Sequence, residues 1–185
     1  MNRMAAILPA TLGLLAGALV LAAPPGASAA PALDRSLSLA AHGGVTVQVP
    51  AWEVLREADA AAVLEQAPDP AQRRPFYVLL VAVEEGPGDE AVPWEAIRDN
   101  IVEAAGRKGR SLELAIEAPF DRARGFAGRI MRGTFRGEGE RRVAVQLATL
   151  VRDGRMVTVS VVSESPTDAA RAILEAVAAT VALTP

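Results

Sequence analysis

Cysteine is absent from the 185 residues, and histidine and tyrosine occur once each, as His42 and Tyr77. The missing thiol excludes a disulfide framework, a thiolate metal site, a cysteine nucleophile and a lipidated bacterial cysteine together. With one histidine and no cysteine, a zinc site would need several carboxylates. A Ser-His-Asp set would rest on His42 alone, and His42 lies in the small, polar stretch AAHGG. A base or metal ligand needs a fixed position and an orienting partner. There is no G-x-S-x-G elbow, no Walker loop and no G-x-G-x-x-G, and no serine stands three residues before Lys108. The sequence therefore assigns no catalytic, cofactor-binding or metal residue, and the expectation is a protein that is not an enzyme.

The cations that are present are nearly all arginine; Lys108 is the one lysine. Arg3 is the only charge before Asp34, and an apolar run from Met4 to Ala23 follows it. Then come Pro24, Pro25, Gly26 and the pattern Ala27-Ser28-Ala29. A short positive region, an apolar region and an A-x-A site describe a secretory signal peptide, with cleavage after Ala29. The alternative is a retained anchor, since the run approaches spanning length; Pro9 and the A-x-A site argue against it. No Arg-Arg pair stands near Met1, so export is expected of an unfolded chain without a preloaded cofactor. The expected location is periplasmic or secreted, with no transmembrane span after cleavage. Loss of Arg3 moves the net charge from −3 to −4. An acidic total does not favour a nucleic-acid partner, although it allows a local basic patch.

Residues 30–44 are small and polar and predict a flexible lead-in; one domain is expected over 45–185. VTVQV alternates and predicts a strand stopped by Pro50. Residues 53–66 fit either helix or strand. FYVLLVAVEE is a continuous apolar run, which suits a central strand covered on both faces. From Pro93, the stripe Trp94, Ile97, Ile101 and Ala104 or Ala105 predicts a helix capped at Gly106. The basic cluster GRKGR then complements the negative helix end. Four strands follow: SLELAIE, GFAGRIMRGTF, RRVAVQLATLV and RMVTVSVVSE, the last two joined by an Asp-Gly turn. SPTDAARAILEAVAATVAL closes the chain as a helix, with Ser165 as cap, Pro166 as first position and Asp168 as capping-box acid. The predicted class is α+β: an antiparallel sheet with two main amphipathic helices on its faces, an α/β/α sandwich.

Three stretches resemble the PsbP-like and DcrB-like superfamily: VTVQVPAW, the long hairpin VAVQLATLVRDGRMVTVSVV, and the closing SESPTDAARAILEAV. The similarity runs over roughly Gly44 to Leu183. It implies an α/β/α sandwich. It also implies the company of lumenal photosystem II assistants, exported bacterial proteins and chaperone-like adaptors, which are mostly not enzymes.

Two features remain as candidate sites. The acids of EEGPGDE (Glu84, Glu85, Asp89, Glu90) could serve a hydrolase or a calcium ion, but the run has neither a visible partner nor EF-hand spacing. The segment RGFAGRIMRGTFRGEGERR carries Arg124, Arg129, Arg132, Arg136, Arg141 and Arg142. Arg129 and Arg132 have opposite strand parity, so no single basic stripe forms unless Gly128 or Gly133 makes a bulge. Its arginines are expected on the surface, paired with Glu138 and Glu140, and Phe126, Ile130 and Phe135 in the core. Three functions follow as expectations: an accessory or adaptor that contacts an envelope protein, a binder of an anionic small ligand or lipid head group through the arginine hairpin, and, least supported, a carboxylate-dependent hydrolase.

Overall fold

The structure is a computed structural model and describes residues 32–66, 76–88, 91–136, 142–164 and 166–184. Its strands are β1 (Arg35–Leu39), β2 (Val45–Val49), β3 (Glu53–Ala58), β4 (Ala61–Gln66), β5 (Tyr77–Glu85), β6 (Ser111–Pro119), β7 (Ala127–Arg136), β8 (Arg142–Arg152), β9 (Arg155–Ser163) and β10 (Ala182–Leu183). Helix α1 (Trp94–Gly106) lies between β5 and β6, and α2 (Asp168–Ala178) follows β9. A seven-stranded sheet has the order β3-β4-β5-β9-β8-β7-β6, and a three-stranded sheet has the order β1-β2-β10. Among the described residues every pairing is antiparallel. The described residues thus form a mixed α+β fold with two helices and antiparallel sheets.

Alternation along the strands explains why the large sheet is apolar on both sides. Leu79, Val81 and Val83 of β5 join Val157, Val159 and Val161 of β9 in one core cluster, with Val45, Val47 and Val49 of β2 and Ile173, Leu174 and Val177 of α2. Val78 and Leu80 of β5 join Val143, Val145 and Leu147 of β8 in a second, with Ile97 and Ile101 of α1. The unbroken apolar run of β5 is therefore what a strand with cover on both faces requires. Each such side chain contributes about 1.5–3 kcal/mol on full burial. The β8–β9 turn has Asp153 at φ 49° and Gly154 at φ 70°, the twin left-handed conformations that the Asp-Gly pair suits.

Several expectations need correction. Residues 30–44 are not simply a lead-in: Arg35–Leu39 pair with β2, burying Leu37 and Leu39. Two leucines among serines give a weak local signal, and pairing supplies the rest. Residues 53–66 are a hairpin, β3 and β4, despite their Ala/Glu/Leu content. Pro93 stands just before α1, not in its first turn. Gly106 is still helical; Gly109, at φ 68°, makes the left-handed exit, with Arg110 N–H donating to the Ala105 carbonyl at 3.2 Å. The N-cap of α2 is Thr167, whose Oγ1 accepts from Ala170 N–H at 3.0 Å. Asp168 is then the first helical residue, too early for a capping-box acid, and Ser165 lies outside the described residues. Apart from these corrections, the partly buried Trp52 stacks its ring on Tyr77 at 6.1 Å between centroids.

Gly128 and Gly133 do not bulge β7. The β7–β8 register is continuous from Ala127↔Val151 to Arg136↔Arg142. The register shift lies on the other strand, between Ile116 and Ala118 of β6. What the glycines permit is close approach: a Cβ at Gly133 would run into the Glu113 carbonyl, and one at Gly128 into the Phe120 carbonyl.

Candidate functional site

Strand parity divides the arginines. Met131 and Phe135 pack in the α1-side cluster, and Ile130 in the α2-side cluster. Arg129 therefore points to the α1 side, where its Cζ sits 5.3 Å from the Trp94 ring centroid. Arg132 and Arg136 point to the other side. Arg142, the register partner of Arg136, joins them there. Arg124 precedes β7 and is remote from this group along the strand; its carbonyl accepts from Arg152 Nη1 at 3.4 Å. Arg141, Glu138 and Glu140 lie outside the described residues. The structure thus brings together Arg132, Arg136 and Arg142, and separates Arg124 and Arg129 from them. Phe126, Ile130 and Phe135 are buried as expected.

The carboxylate that meets Arg132 comes from β6, across the sheet edge. Glu117 accepts from Arg171 Nη1 and forms an ion pair with Arg132 Nε, each at 2.8 Å. Arg171 Nε also donates to Glu175 one turn along α2, and Arg122 Nη1 reaches the same carboxylate at 2.9 Å. Three guanidiniums thus share two carboxylates, tying β6, β7 and the intervening loop to α2. The glutamate side chains are about one quarter exposed, against 58% for Arg132 and 65% for Arg122. Burial alone pulls the Arg171 guanidinium down, but its hydrogen bonds to Glu175 and Glu117, and their charges, outweigh it and raise its pKa. Beside this network, Gln146 Nε2 donates to the Thr167 carbonyl at 3.2 Å, fixing the start of α2 on β8. The Arg171–Glu175 pair is a local i,i+4 pattern, but nothing local announces the Glu117–Arg171 link, whose partners are 54 residues apart.

Arg136 and Arg142 face each other across the strands. Like charges in that position cost stability unless solvent or a counter-ion relieves them. Arg132 and Arg142 are exposed and Arg136 half-buried. The surface can therefore offer guanidinium donors to an incoming carboxylate or phosphate.

The other candidates come apart. Glu84 and Glu85 are consecutive on β5 and point to opposite faces, one buried and one exposed. They do not form a facing pair, and Asp89 and Glu90 lie outside the described residues. His42 is exposed in a 3-10 turn (Ala41–Gly43) at φ 53°. Among the described residues, no group of three His, Cys, Asp or Glu side chains could hold a metal ion. Also among them, no helix is long and apolar enough to cross a membrane. The GRKGR arginines have structural work: Arg107 Nη1 pairs with Glu103 at 2.7 Å, and Arg110 lies 5.7 Å above the Phe135 ring.

No family model matches the chain, and no curated protein is similar to it. Among solved structures it is similar to PA94, a protein of unknown function from Pseudomonas aeruginosa, at 12% identity and a TM-score of 0.39, over 70% of this chain and 83% of that one.

Proposed function

We propose that this protein is a non-catalytic, exported accessory or adaptor that acts through protein contacts, and that its partner presents acidic side chains. The observation that carries the reading is the surface of Arg132, Arg136 and Arg142 beside the open edge strand β6. It combines a like-charged cross-strand pair with a third arginine on the same face, and Arg171 of α2 stands behind it. Such a surface gains from an anionic partner what it loses alone. Export rests on residues 1–29 as a signal peptide. The PsbP-like or DcrB-like α/β/α sandwich belongs to the same proposal; a sheet with one apolar cluster and one helix on each face supports it.

The test compares the mature chain with an Arg132→Gln, Arg136→Gln, Arg142→Gln variant in mild crosslinking of envelope extracts. One reproducible acidic partner, captured by the native chain and lost with the variant, is expected. Equal capture by both chains would remove the surface from the function. The same pair is applied to vesicles of anionic lipid. Salt-sensitive vesicle binding by the native chain alone, without a protein partner, would transfer the reading to a lipid head group.

A further inference from the structure

We propose that a single small carboxylate binds beneath the N-terminus of α1, between the guanidinium of Arg129 and the hydroxyl of Thr149. This site is separate from the contact surface, since Arg129 and Arg132 lie on opposite faces of the sheet.

A row of register partners carries the proposal: Ala82↔Thr158 on β5 and β9, Thr158↔Thr149 on β9 and β8, and Thr149↔Arg129 on β8 and β7. Two residues away along each strand, Leu80, Leu147, Val151 and Met131 belong to the α1-side cluster. The row therefore lies on that face too, as a band of small and polar side chains within an apolar surface. Thr149 is 0% exposed, and its Oγ1 has no hydrogen-bond partner among the described residues. Valine has the same shape and would fill the position without a hydroxyl to satisfy. A buried threonine there lowers the stability of the free protein and leaves an unused donor on the strand position that faces Arg129 in register.

Arg129 is held rather than neutralised. Its side chain stacks on Trp94, the first residue of α1, and its one hydrogen bond among the described residues runs from Nη1 to the Gly128 carbonyl at 3.3 Å. No carboxylate among the described residues pairs with it. Above it, α1 begins with no side-chain cap at Pro93. The first-turn N–H groups of a 13-residue helix and its dipole both favour an anion at that end.

The surrounding charges set the size of the ligand. Glu95 lies in the first turn of α1, and Glu84, already engaged in an interaction of its own, is on the same sheet face near Thr158. With these carboxylates nearby, Arg129 can offset at most one added negative charge, so a polyanion is repelled. The carboxylate can belong to a free acid or to an acidic peptide side chain.

The experiment titrates the mature chain with sodium acetate, inorganic phosphate and a short amidated peptide with one glutamate. Ionic strength is held constant with chloride. The readouts are the melting temperature of the native sequence and, in a Trp52→Phe background, the emission of Trp94. Acetate is expected to raise the melting temperature and change Trp94 emission saturably; a response to the peptide at lower concentration would assign the carboxylate to a protein partner. Arg129→Gln should abolish both responses. Thr149→Val should melt higher than the native chain without ligand, yet need at least about tenfold more acetate for the same response. A native chain with no saturable acetate response overturns the proposal. So does a Thr149→Val chain that titrates like the native one.

Discussion

The two ends of the seven-stranded sheet solve the same edge problem differently. At one end, β3 is exposed along nearly all its length, and Leu55, 47% exposed, is the one exposed large hydrophobic among the described residues. At the other, β6 is backed by β7, which buries Ile130, Met131 and Phe135, and by the ion network that reaches α2. Both edges carry a register shift and charged side chains, which discourage unwanted pairing with another chain. Both also hold a like-charged cross-strand pair, Glu53↔Glu65 at the β3 end and Arg136↔Arg142 at the β6 end. Behind β3, β4 buries Val63 and Leu64; the β6 end has larger anchors in Met131 and Phe135 and adds the ion network, and together these let it carry a charged face without losing its place. Anchoring, more than edge position, separates a hairpin that can present a site from one that is only tolerated.

The comparison breaks first at Phe135. Truncation to alanine empties a buried site under Arg110 and should cost about 3–5 kcal/mol in urea melts. Leu55→Ser at the opposite edge should stay within about 0.5 kcal/mol of the native chain. Equal losses at the two positions would mean that the ends are anchored alike.

Glu117 comes next. Glu117→Gln removes the charge that Arg132 and Arg171 share, while Glu175 still holds Arg171. Two partly screened pairs lose strength, so the expected cost is about 1–2 kcal/mol. High salt should shrink the gap between variant and native chain. A gap that ignores salt would make the role of Glu117 one of shape. A smaller effect is expected of the contact surface itself. Changing Arg132, Arg136 and Arg142 together to glutamine removes one ion pair among the described residues but also relieves the Arg136↔Arg142 repulsion. The net change in unfolding free energy should not exceed about 1 kcal/mol, with partner capture lost. Unfolding of that variant would show that the arginines serve the fold.

How much of this was legible depends on how local each cause is. The buried β5 run, the Asp153-Gly154 turn and the α1 stripe Ile97, Ile101, Ala104 follow from short-range pattern, and the sequence reading finds them. The opposite parity of Arg129 and Arg132 was also visible, and it is why the arginines do not make one patch. β1 was missed because RSLSL has only two large apolar residues and takes its stability from β2. The Ala/Glu/Leu content of β3 and β4 favours helix, while hairpin pairing to β5 decides the outcome. The Glu117–Arg171 link and the Thr149–Arg129 row depend on which strands become neighbours. Composition and spacing carry no trace of that.

The finest distinction between the two edges is their response to pH. Glu65 is held above the ordinary carboxylate pKa, first by burial and then by the charge of Glu53 opposite it. Its proton is therefore bound more tightly in the folded chain than in the unfolded one. The stability linked to this group is present at pH below the unfolded value, near 4.5, and is lost as pH rises through the raised folded value. Glu53→Gln removes the second cause and leaves the first. The variant should match the native chain at low pH, where Glu65 is protonated. It should gain as pH rises, and level off above the native chain near neutrality. Because Glu65 is only partly buried, solvent screening limits the gain to about 0.5 kcal/mol or less. Urea melts at several pH values between about 3.5 and 7 provide the measurement. A difference that is constant with pH, or that favours the native chain at neutrality, would show that Glu53 and Glu65 do not repel across the hairpin.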